Sequence, residues 1–168
     1  MRPIRFLKVV AILATVLFAF VPLARATTLL NVVITTAVVS AVSPVYQFAD
    51  GVPKNLAIQG NFTYGSSGTS ADAYVQTSFD GGATWVDIAN YHFTTSSLRK
   101  LVNLSSLTPV TTQVTPTDGS LTANTVIDGL IGSQLRVKYV TVGTYAGSTT
   151  LVVSVSTARL AASSAVSP

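Results

Sequence analysis

Ser78-Phe79-Asp80-Gly81-Gly82-Ala83-Thr84-Trp85 lies between two stretches that read as extended chain. Asp80-Gly81-Gly82 supplies residues that tolerate positive φ, which a tight reversal between antiparallel strands requires. Before it, Ala73, Val75, Thr77 and Phe79 line one face of a strand. After it, Trp85-Val86-Asp87-Ile88 resumes an extended pattern. A β-hairpin centred on Asp80 is the expectation, and working outward from it gives an all-β chain.

Valine and threonine are the commonest residues, at 24 and 23, and glutamate is absent. β-Branched side chains suit a pleated sheet, and helix-favouring surface residues are scarce. Leu56, Ile58, Phe62 and Tyr64 share one parity, with Gly60 as a candidate bulge. Tyr91–Thr95, Leu98–Leu104, Leu135–Tyr139 and Thr149–Thr157 are further strands. Thr108–Asp118, with Pro109 and Pro116, reads as a long loop, and Leu121–Gly132 is ambiguous. Seven or eight short strands with turns every eight to twelve residues predict an antiparallel β-sandwich, of jelly-roll or Ig-like type.

Residues 1–26 carry the parts of a secretory signal: basic Arg2, Arg5 and Lys8, an apolar run, then Ala24-Arg25-Ala26. Cleavage near Ala26 would yield a secreted or periplasmic protein. Residues 27–54 read as an apolar arm followed by a linker containing Pro44, Asp50-Gly51 and Pro53. The arm either seeks a partner chain or completes a sheet of its own domain. The sandwich domain is expected over 55–157, and 158–168 as a flexible tail.

The formal charge of +4 comes from the first segment. Beyond residue 26, six basic residues face six aspartates, and six minus six leaves zero. Such a body has no field to steer it to nucleic acid or to an anionic membrane. A neutral, threonine-rich surface is poor protection against self-association, so a homo-oligomer is expected. With no cysteine, thiolate metal sites and disulfides are excluded.

No catalytic set can be assembled. His92 is the only histidine, with no second histidine, cysteine or glutamate to build a metal site and no Gly-x-Ser-x-Gly elbow to make it a base. Asp50, Asp80, Asp118 and Asp128 each precede glycine, the usual post of a turn aspartate. Asp72 and Asp87 could pair across a hairpin, but nothing supports a glycosidase pair. Tyr64, Tyr74, Trp85, Tyr91, Tyr139 and Tyr145 could form a sugar platform, though packing explains them more simply. The sequons at Asn61 and Asn103 read as chance. No cofactor or metal is expected.

The eight residues from Ser78 to Trp85 resemble the Asp-box pattern Ser/Thr-x-Asp-x-Gly-x-Thr-Trp, found in sialidases and in many secreted β proteins. That resemblance implies a structural turn made by Ser78, Asp80, Gly81, Gly82, Thr84 and Trp85. It does not imply sialidase activity, since a single box and three arginines after residue 26 leave no propeller or arginine cluster.

A longer resemblance covers about residues 50–155. Leu56–Gly65, Ala73–Ile88, Phe93–Ser97, Thr115–Gly119, Asp128–Leu130, Arg136–Tyr139 and Gly143–Gly147 resemble small all-β proteins of tailed bacteriophages and prophages. This implies a non-enzymatic virion component, such as a capsid decoration or accessory protein, whose partners are other virion proteins or copies of itself. The alternative is a secreted or surface β-sandwich that binds a glycan or a protein.

Overall fold

The computed structural model describes residues 26–157, and these form strands without a helix. In chain order the strands are β1 (Thr27–Val33), β2 (Val38–Val42), β3 (Tyr46–Gln47), β4 (Asn55–Thr63), β5 (Ser70–Ser78), β6 (Val86–Phe93), β7 (Leu98–Ser105), β8 (Gln134–Val142) and β9 (Thr150–Thr157). One antiparallel sheet has the order β1-β9-β4-β7. The other has the order β2-β8-β5-β6, with β3 also on β8. Together they make a β-sandwich.

The period-two pattern places the core between the sheets. Leu56, Ile58 and Phe62 of β4 and Leu151, Val153 and Val155 of β9 are buried on one side. Ala71, Ala73 and Val75 of β5 and Leu135 and Val137 of β8 are buried on the other. Phe62 stacks on Phe93 of β6 with ring centres 5.2 Å apart. Each large side chain buried in this way contributes about 1.5–3 kcal/mol.

The pairings nest. β5 pairs with β6, β4 with β7, β2 with β8 and β1 with β9, so the chain runs as an antiparallel ribbon doubled back after Ser78. The reversal is the loop between Ser78 and Val86, longer than the tight turn expected.

Three expectations need correction. Residues 27–54 are not an arm and linker outside the domain: β1 pairs along β9, while β2 and β3 pair with β8. Leu29, Leu30 and Ile34 are buried in the core that β1 helps to close, whereas Val33 is exposed, so the strand is wet on one face. The domain therefore includes the residues from 27 onward. Gly60 is no bulge, since β4 stays in register with both neighbours. It is glycine because a Cβ there would sit 3.0 Å from the Tyr91 ring. Phe79 does not continue the buried face of β5; it is 57% exposed beyond the strand end. The signal-like segment up to Arg25 and the expected tail at 158–168 lie outside the described residues.

One irregularity in β6 decides where Asp87 points. Val75 pairs with Ala89 but Gln76 pairs with Asp87, which leaves Ile88 as an extra residue in β6. A one-residue bulge reverses the facing of everything beyond it. Ala89 and Tyr91 face the core, so an unbulged strand would drive Asp87 into it. The bulge sets Asp87 beside Gln76 on the outer face instead.

Candidate functional site

Of the six residues expected in the turn, Ser78 ends β5 and Asp80, Gly81, Gly82, Thr84 and Trp85 lie in the loop that follows it. The Asp80 carboxylate accepts hydrogen bonds from the Thr84 amide (2.9 Å), the Thr84 hydroxyl (2.6 Å) and the Ser78 hydroxyl (2.9 Å). Ser78 Oγ accepts in turn from the Gly82 amide at 2.8 Å. Gly81 and Gly82 have φ of 72° and 94°, which a side chain would resist. The Trp85 indole N–H donates to the Gly82 carbonyl at 3.0 Å, and Trp85 remains half-buried. The Thr84 hydroxyl, then the Thr84 amide and the Ser78 hydroxyl, hold the Asp80 carboxyl down at about 2. These bonds all close within the loop and its flanking residues.

Next to the loop, the Trp85 ring meets a polar network. The Arg136 guanidinium lies 4.2 Å from the ring centre, a cation–π contact. Arg136 Nε donates to Gln76 Oε1 at 2.7 Å, and Gln76 Nε2 donates to both Asp87 and Asp118 at 2.7 Å. Asp87 is fully buried and also accepts from the amides of Gly119 (2.8 Å), Ser120 (3.1 Å) and Leu121 (3.2 Å). Gln76, Lys138 and Arg136 hold the Asp118 carboxyl below its ordinary range, the Gln76 hydrogen bond most of all. Asp128 anchors the near end of the same long loop. It accepts from the Ser105 amide (2.6 Å), the Thr108 hydroxyl (2.7 Å) and the Gly129 amide (2.9 Å). The Ser105 amide is the main reason its carboxyl is also lowered.

The sequence did not reveal this network, because Gln76 and Asp87 stand on a face that a single sheet would leave wet. They are buried because the loop between β7 and β8 folds over them. The signal available was Asp118-Gly119 in a proline-flanked stretch, which marks a turn but not what the turn lies against.

His92 Nδ1 is 2.9 Å from Asp72 Oδ1, and Lys100 Nζ donates to the His92 carbonyl. Among the described residues no serine or threonine hydroxyl is hydrogen-bonded to the His92 ring. Asp72 pairs with His92 and Asp87 with Gln76, which places the two carboxylates four residues apart along β5. That is roughly 14 Å at the rise of a strand, beyond the ~5–9.5 Å that a glycosidase pair spans. Among the described residues no group of three or more metal-ligating side chains converges. Nor do the aromatics form one platform. Tyr91 and Tyr145 are buried and donate to the Ile58 and Ser70 carbonyls, while Trp85 is taken up by Arg136.

Part of the remaining surface is apolar. A shallow groove beside the Asp80 loop is lined by Phe79, Val86, Val110, Val114, Pro116 and Leu130. Asp80, Asp87 and Asp128 accept from loop backbone amides, and Asp118 of the long loop accepts from Gln76 of β5. No family model matches the sequence, and a search of curated proteins finds no match.

Proposed function

We propose that the protein is a non-enzymatic structural component of a bacteriophage particle, a capsid decoration or accessory protein acting through protein–protein assembly. The observation that carries this is the nested pairing of β1/β9, β2/β8, β4/β7 and β5/β6 across two four-strand paths. It fits the jelly-roll type and not the Ig-like type, whose sheets follow the orders ABED and CFG. Jelly rolls serve as viral capsid and lectin domains, and a fold alone does not choose between them. The use of Asp80, Asp87, Asp118 and Asp128 as loop anchors favours the structural role. The Asp80 loop is then an Asp-box-like hairpin with a folding task, and no cofactor, nucleic acid or membrane enters the reading.

Deleting the gene and purifying particles tests this. Particles lacking the protein are expected to lose heat resistance and to regain it when purified protein is added. A protein that never co-sediments with particles overturns the reading. A second reading, a secreted or surface module binding a glycan or a protein, is favoured by the basic, apolar, Ala24-Arg25-Ala26 order of the N-terminus.

A further inference from the structure

Two sheets present four strand edges, and three of them carry protection against pairing with another chain. β6 is covered by the loop between β7 and β8: the Asp87 and Asn90 amides donate to Thr117 and Thr125, and the Ile127 amide donates to Ile88. β7 bears Arg99 and Lys100, with Lys100 turned back onto the His92 carbonyl. The edge made by β2 and β3 is broken by Pro44 and by a register shift between Val38 and Ala41. Covering, charge, proline and bulges are the devices that keep sheet edges from joining.

β1 has much less. A register shift lies near its start, between Thr28 and Leu30, and from Leu30 to Val33 it runs evenly along β9, its one sheet neighbour among the described residues. It contains no proline and no charge. The absence of charge extends further, for no Asp, Glu, Lys, Arg or His occurs from residue 26 to 49. A short link, 34–37, joins β1 to β2, so the two edges share one narrow side of the sandwich. The described residues of β1, the link and β2 are uncharged, and Val33 is 62% and Val39 90% exposed.

We infer that β1 pairs antiparallel with β1 of a second copy about a two-fold axis, continuing the β1-β9-β4-β7 sheet through a dimer. Self-pairing suits this edge in particular. An isologous contact sets the same residues against themselves, and here no like charges meet. Backbone donors and acceptors left open on an edge strand are held by water and form a ready template for another strand. The area is also adequate. A strand of this length spans about 24 Å, and a sandwich edge about 20 Å deep gives roughly 500 Å² per copy, or ~1,000 Å² in all, the level a specific interface should reach. The pairing deepens and rests on the assembly reading, and it names one partner as a second copy.

Sedimentation of the full chain across concentration tests it. The wild type is expected to be a dimer. Asn31→Lys with Val33→Lys, both on the outward face of β1, should weaken it by roughly 100-fold or more, since like charges then oppose each other. Leu101→Lys on β7, also at an exposed position, should leave the dimer intact. Hydrogen exchange on the wild type needs no variant: β1 amides should slow as concentration rises. A monomer at all concentrations, an oligomer of odd order, a dimer that survives both lysines, or one that Leu101→Lys breaks would overturn the pairing. A monomer found in particles would end this inference alone, and a dimer absent from particles would end the particle reading alone.

Discussion

Asp80 and Asp87 show how the same side chain serves differently according to what covers it. Asp80 is exposed, and its bonds to Thr84 and Ser78 favour the ionised form. A lowered carboxyl contributes stability that is complete above its ordinary value of 3.8 and lost as pH falls through about 2. Asp80→Asn should therefore melt below the wild type at neutral pH, and the gap should close as pH falls toward 2. Because Asp118 and Asp128 titrate in both proteins, thermal melts of the pair taken across that range isolate Asp80, and a gap independent of pH would contradict the assignment. Asp87 is buried beneath the long loop, so Asp87→Ala strands the amides of Gly119, Ser120 and Leu121. The expected cost is on the order of 3 kcal/mol. Urea unfolding would read it, with faster amide exchange at 119–121, and a change under about 0.5 kcal/mol would show that the bonds are incidental. The role of Asp80 was legible because its partners lie within four residues in sequence. That of Asp87 was not, since it depends on a bulge at Ile88 and a loop thirty residues away.

At the scale of elements, β4, β5, β7, β8 and β9 could be read because their apolar residues alternate or their bounds carry glycine, whereas the stretches expected at Trp85–Ile88 and Tyr91–Thr95 are one strand, β6. β1 and β2 were harder. Threonine and valine fit an exposed edge and a buried strand equally well, and proline at 44 resembles a linker whether or not strands lie on both sides. Pairing with β9 makes β1 a working part of the fold. Deleting residues 27–33 removes Leu29 and Leu30 from the core and leaves β9 as a bare edge. Cooperative thermal unfolding should then be lost even in dilute monomer. An unchanged melting temperature would return the segment to the status of a free arm.

At the scale of the molecule, the sandwich divides its labour between its sides. The β6 and β7 side carries His92, Lys100 and the covering loop, while β1 and β2 hold no charged residue. The order of strands could not be read from sequence, because nested pairing joins β1 to β9 over more than a hundred residues and leaves no local mark. The proposed role makes this body a part of a particle. The most direct measurement is the intact mass of the chain in gradient-purified particles and in the culture medium. The account predicts the chain in the particle fraction, in fixed proportion to the major shell protein. The chain found only in the medium, at a mass below 17.5 kDa that matches cleavage near Ala26, would contradict it.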